Sequence, residues 1–180
     1  MAVYNTVMDD LRYPVGPFQY TSPTPAIRRD AVTTLERLPV DLGVALQGLG
    51  DGALDTPYRP GGWTVRQLVH HVPDSHMNAY VRTRMALTED TPTIKPYAEA
   101  EWAQLDDARI MPIEVSLELL DNLHQRWVRL LDSLHDADFD RAYIHPESGR
   151  VTLALQMALY SWHSRHHVAH IAELRKRRGW

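Results

Sequence analysis

The chain has 180 residues, 44% of them hydrophobic, which suits one globular domain with a real core spanning 1–180. A formal net charge of -4 gives no general electrostatic case for nucleic acid, and with neither a bilayer-length apolar run nor a signal pattern no membrane partner is expected and the cytoplasm is the expected location. The absence of cysteine removes disulfides, thiolate metal sites and a cysteine nucleophile, so attacking chemistry must use water, a metal-bound ligand or an external thiol.

Residues 1–25 carry Pro14, Gly16, Pro17, Pro23 and Pro25 with little periodicity, and read as an irregular arm laid over the body, with no chemistry assigned to it. From Ala26, the residues Ile27, Ala31, Leu35, Leu38, Leu42, Leu46 and Leu49 step by three or four, which predicts an amphipathic helix. Pro39 should kink or split it, and Gly50-Asp51-Gly52 should end it. Turn formers fill Leu54 to Trp63, after which Thr64 offers an N-cap to a second helix through Val65, Leu68, Val69 and Val72. Pro73 lies inside that helix and is expected to bend it. Residues 88–112, with Pro92, Pro96 and Pro112, read as a long crossover with one short helix at Ala98 to Leu105.

A third helix is predicted from about Val115 to Leu134, burying Leu120, Leu123, Trp127, Leu130, Leu131 and Leu134. His124 beside that stripe is expected to be structural or solvent-facing, because nothing near it in sequence gathers ligands. The helical period then breaks, and Tyr143-Ile144-His145 with Arg150-Val151-Thr152 predicts a small hairpin capping one end, His145 in its loop. The fourth helix runs from about Thr152 to Arg177 and closes on Arg175, Lys176, Arg177 and Arg178, cations that suit a helix C-terminus. The expected fold class is all-α, a four-helix bundle with a long crossover and a small hairpin cap.

Seven of the ten histidines fall in two helical windows: His70, His71 and His76 in one, and His163, His166, His167 and His170 in the other. Residues four apart share a helix face, so His163 with His167, or His166 with His170, could hold one cation, with a third imidazole arriving from the second helix. Spacing does not choose between the pairs. On the second helix Gln67, His71, Asp74, Ser75 and Asn78 share a face, with His70 rotated by about 100°. Asp74 is thereby a candidate to accept the second ring N–H of a His71 ligand. On the fourth helix Gln156, Tyr160, His163, His167 and His170 drift along one face, which suggests an enclosed site between helices. No Glu-x-x-His pair and no His-Glu-x-x-His motif occurs, which excludes the di-iron bundle and zinc-protease patterns.

The stretches Leu54 to Arg59, Gly61 to Gln67, His70-His71, Asp74 to Asn78 and Trp162-His163-Ser164 through Ala169-His170-Ile171 closely resemble the YfiT-like branch of the DinB superfamily, over nearly the whole chain. Pro73 departs from that pattern, which has a helix former there. The resemblance implies a four-helix bundle of up-up-down-down character, usually a homodimer, holding one divalent metal ion on three histidines. By motif position these are His71, His163 and His167, with Asp74, Tyr160 and His170 as neighbours of the ligands or of the pocket. Three neutral imidazoles suit Zn²⁺ or Ni²⁺, with Fe²⁺ and Mn²⁺ behind, and leave coordination positions open.

Two enzyme activities follow from the resemblance. The expected one is transfer of a low-molecular-weight thiol, such as bacillithiol, to an electrophilic small-molecule substrate, since a three-histidine cation can activate a thiolate and no separate base stands out. The alternative is hydrolysis by metal-activated water, the family's long-standing label. A non-catalytic metal-binding bundle is the third reading.

Overall fold

The computed structural model describes residues 11–180, so the first ten residues of the predicted arm lie outside the described residues. Helix α1 spans Pro25–Leu46, opened by Thr24, whose hydroxyl accepts the Ile27 amide, with proline at the first helical position. It buries Ala31, Leu35, Leu38, Leu42 and Leu46, whereas Ile27 is exposed. Pro39 lies inside α1 without splitting it. One carbonyl must then lose its helical donor, and a ring nitrogen of another helix takes that place, as described below. Gly50 to Gly52 do not end α1 but begin the short helix α2, Asp51–Leu54.

Helix α3, Val65–Thr88, starts with a capping box in which the Thr64 hydroxyl accepts the Gln67 amide and the Gln67 side chain accepts the Thr64 amide. It continues through Pro73. The crossover holds two short helices rather than one, α4 at Glu99–Trp102 and α5 at Asp106–Ile110. Helix α6 spans Ile113–Asp132 and is followed by a 3-10 turn at Asp136–Asp140. The predicted hairpin is present as β1, Ala142–His145, antiparallel to β2, Gly149–Thr152. His145 is the last residue of β1, paired with Gly149, rather than a loop residue. Helix α7, Leu153–Arg178, is capped by the Thr152 hydroxyl and ends on Gly179 in the left-handed conformation at φ 71°. Its basic end is tied down, Arg175 donating to the carbonyls of Ala45 and Gln47 and Arg177 to that of Tyr58.

The four long helices form a four-helix bundle in which α1 and α3 each pack against both α6 and α7. Its interior is divided. One apolar cluster, toward the hairpin, contains Leu35, Ala79, Trp127, Leu131, Tyr143, Leu153 and Met157. The other contains Leu38, Leu42, Val65, Leu68, Val69, Val72, Leu120, Ile171 and Leu174. Each long helix passes from one cluster to the other, between Leu35 and Leu38, Val72 and Ala79, Leu120 and Trp127, and Tyr160 and Ile171. His76, His124, His163, His166, His167 and His170 lie in those intervals, and His71 lies at the edge of one. Among the described residues no helix is long and apolar enough to cross a membrane.

Candidate metal centre

At the boundary between the two apolar clusters, α3 brings His71 against His163 and His167 of α7. The Nε2 atoms of His71 and His163 are 3.4 Å apart and those of His163 and His167 are 3.0 Å apart. One ligand atom from each of the three rings lies within 4.8 Å of the others. Nitrogens bound at about 2.0–2.1 Å in tetrahedral directions would sit about 3.3 Å from one another, so these separations match a shared cation. Ring nitrogens that meet so closely need either the N–H hydrogen of one neutral ring or a metal ion between them.

The electrostatics suits a metal ion. Burial pushes His71 down to about 4, and burial followed by the neighbouring imidazoles holds His163 and His167 well below the ordinary histidine value. All three rings are therefore neutral near pH 7, the state in which imidazole binds metal. His71 and His167 are buried and His163 is half-buried, so the cluster meets solvent at the His163 ring. Trp63 packs on His71 with ring centroids 4.7 Å apart, closing that side.

A second buried group, His166, His167 and His170, also brings three potential ligand atoms within 4.8 Å. It is roofed over. His166 stacks on Trp162 and faces Tyr13, while His170 stacks on Tyr58 and its Nε2 lies 3.2 Å from the Arg12 carbonyl. Because a carbonyl only accepts, His170 Nε2 carries its proton and is taken. The arm, to which no chemistry was assigned, thus covers this histidine pair, and Trp162 Nε1 also donates to the Gly16 carbonyl. His166 Nδ1, His167 Nδ1 and His170 Nδ1 are buried without a hydrogen-bond partner among the described residues.

The remaining expectations divide. Asp74 is half-buried and makes no side-chain hydrogen bond to His71 among the described residues; only its backbone carbonyl is engaged, by Asn78 Nδ2 at 2.9 Å. Burial, with Asp107 nearby, raises its carboxyl to about 6. Tyr160 is a wall of the site: its hydroxyl donates to the Ser75 carbonyl at 3.1 Å, and its ring meets those of His76 and His163. Gln67 and Gln156 leave the proposed face for structural roles, Gln67 Nε2 donating to the Ala103 carbonyl and Gln156 Nε2 to Ala79 and Thr83. His70 turns away, its Nδ1 2.7 Å from Ser116 Oγ and its Nε2 3.2 Å from the Met111 carbonyl.

His124 takes the structural one of its two expected roles, not the solvent-facing one. It is 1% exposed, and its Nε2 lies 2.9 Å from Nδ1 of His76, whose Nε2 lies 3.1 Å from Nδ1 of His163. Three helices thereby deliver imidazoles to one connected array. A signal for it was present in the spacing, because His124 falls on the buried step Leu120, His124, Trp127, Leu131, and His76 falls on the step Val72, His76, Ala79, Thr83. A polar side chain on a core step needs a buried partner.

Comparison with known proteins identifies the family. The family model described as DinB superfamily matches residues 34–171. A protein of Bacillus cereus strain B4264 named "Putative metal-dependent hydrolase" is 53% identical over 174 residues, covering 96% of this chain and all of the relative. A relative of the same description in Bacillus mycoides strain KBAB4 is also 53% identical over 174 residues, 96% of this chain and 100% of its own. Among solved structures, YfiT from Bacillus subtilis, described as a probable metal-dependent hydrolase with an unusual four-helix bundle topology, superposes with a TM-score of 0.92 at 46% identity, covering 95% of this chain and 99% of that one. TT2238, a four-helix bundle protein, superposes with a TM-score of 0.54 at 20% identity, over 78% of this chain and 94% of its own, a likeness of fold alone. With a family match over most of its length and relatives this similar from end to end, the chain belongs to the DinB superfamily.

Proposed function

We propose that this chain is a metal-dependent hydrolase that holds one divalent cation on the Nε2 atoms of His71, His163 and His167. The observation that carries this reading is the convergence of three neutral imidazoles from two helices at separations that suit one ion. An all-imidazole set favours Zn²⁺ or Ni²⁺. Such an ion supplies a Lewis acid that brings the acidity of water near neutrality.

The chain's own residues supply the rest. Burial keeps the three ligand rings deprotonated, and Trp63 and Tyr160 wall the site with aromatic surface. Asp74, one helical turn from His71 and raised to about 6, can take and return a proton near neutral pH, which suits a general base for a small ester or amide substrate. Thiol transfer, the expectation from the sequence, finds no support in the relatives' names, which favour water as the nucleophile.

Protein purified without a histidine tag tests the reading. One divalent ion per chain is expected, lost in His71→Ala and His167→Ala and kept in His166→Ala. Generic esters or amides should turn over without added thiol, with thiol inhibiting. Absence of metal, or turnover that requires thiol and saturates in it, would reject the hydrolase.

A further inference from the structure

The array behind His163 ends at a place created by a proline. Pro39 has no amide hydrogen, so the Leu35 carbonyl, four residues earlier in α1, lacks its helical donor. His124 Nδ1 of α6 fills that position, 2.5 Å from the Leu35 oxygen. From this terminus the protons can be assigned ring by ring.

A carbonyl oxygen accepts and never donates, so His124 carries its proton on Nδ1. A neutral imidazole holds one proton, which leaves His124 Nε2 as a bare acceptor, 2.9 Å from His76 Nδ1. His76 must then carry its proton on Nδ1, which leaves its Nε2 bare, 3.1 Å from His163 Nδ1. His163 in turn carries its proton on Nδ1. Its Nε2 is then a bare acceptor, and that is the atom lying 3.4 Å from His71 Nε2 and 3.0 Å from His167 Nε2. Every link is buried or half-buried, with His76 and His124 at 0% and 1% exposure, so water does not compete for these bonds.

We propose that the Leu35 carbonyl, His124 and His76 form a tautomer lock that holds the proton of His163 on Nδ1 and so presents its Nε2 lone pair to a cation. His76 and His124 are positioning residues, since neither touches the ion. The array is not a proton exit, because its last member is an amide carbonyl that cannot take a proton. Its effect is on readiness: a histidine whose second nitrogen already donates to a fixed acceptor is oriented, more basic, and needs no tautomer change before binding. The ligand role of the lock rests on the proposed ligand set, whereas the proton positions themselves do not.

His124→Leu removes the acceptor. His76 Nδ1–H is then left unpaired, and the favoured alternative puts the His76 proton on Nε2, where it donates to His163 Nδ1 and forces the His163 proton onto Nε2, the atom meant for the metal. His124→Gln keeps a side-chain oxygen that can accept from His76. Two measurements decide. Long-range ¹⁵N–¹H correlation spectra of the metal-free protein at pH 7.5 should show His163 protonated on Nδ1 in the wild type and in His124→Gln, and on Nε2 in His124→Leu. Competition with a chromophoric chelator should show Zn²⁺ and Co²⁺ affinity about 10- to 100-fold weaker in His124→Leu, the range for loss of a ligand's hydrogen-bond partner, and within a few-fold of wild type in His124→Gln.

An Nε2-protonated His163 in the metal-free wild type overturns the lock without any variant, so poor folding of His124→Leu does not shelter it. Wild-type affinity in folded His124→Leu also overturns it, as does equal weakening in the leucine and glutamine variants, which would mark a merely structural histidine. Failure of the ligand set has a different signature: undiminished metal binding in His71→Ala and His167→Ala while the wild-type spectrum still shows the Nδ1 tautomer.

Discussion

The apolar halves of the bundle and the histidine layer between them are built on opposite terms. In the halves, residues such as Leu42, Leu68 and Leu120 are fully buried and contribute by removing hydrocarbon from water, a non-directional effect that tolerates exchange of one apolar shape for another. In the layer, His71, His76, His124 and His167 are also buried, but each brings two ring nitrogens that must be matched. The halves carry stability, while the layer spends some of it to hold neutral bases in register. Within the layer the two sides differ again. Behind His163 every nitrogen has a partner as far as Leu35, whereas the Nδ1 atoms of His166, His167 and His170 have none among the described residues.

The comparison breaks most visibly in the apolar half. Leu42→Ala should lower the unfolding free energy by about 2–5 kcal/mol, the usual cost of a buried leucine, with unchanged metal stoichiometry; urea unfolding and metal analysis check this. Loss of the metal in that variant would mean that the two regions are not separable.

Acid should act on the layer instead. Burial lowers His71 and His124 to about 4 and His170 to about 3, below the value of about 6.5 in an unfolded chain. The unfolded state therefore binds more protons between these values. Metal-free stability is complete above about pH 6.5 and falls as pH drops toward 4, by up to about 1.4 kcal/mol per pH unit for each such histidine. Urea midpoints at pH 7.5, 6 and 5 should fall with the same slope in the wild type and in Leu42→Ala. Since protons also compete with the ion, a chelator should lower the melting temperature more at pH 7.5 than at pH 5.5. An equal shift at both pH values would point to an ion held outside the layer.

The smallest effect is expected at Pro39, where the regions meet. Pro39→Ala restores an amide that shares the Leu35 carbonyl with His124. The change in stability should stay within about 1 kcal/mol, the net worth of one hydrogen bond, while metal affinity weakens by a few-fold in chelator competition. Unchanged affinity would show that His124 keeps its acceptor regardless of the proline.

Much of the architecture was legible because periodicity and capping are local. The steps Ala31, Leu35, Leu38, Leu42 and Val65, Leu68, Val69, Val72 mark the buried faces, and Thr64 with Gln67 marks a helix start through contacts no more than a turn away. The hairpin was readable for the same reason. At Pro39 the sequence shows the lost hydrogen bond but not the donor from α6 that compensates it. Which of its two expected roles His124 takes was hidden on a related ground: the imidazole it meets, His76, is 48 residues away in sequence.

The choice among the histidines on α7 shows where the chain's own text stops. Spacing determined that His163 with His167, and His166 with His170, are equivalent i,i+4 pairs, and composition determined that any site would be imidazole rather than thiolate. Tertiary structure separated them, by placing His71 against the first pair and the arm's Arg12 carbonyl against the second. A helix dictates which residues share a face, but what that face meets depends on how the helices pack, and the hydrogen-bond state of an imidazole is decided by the atom opposite it.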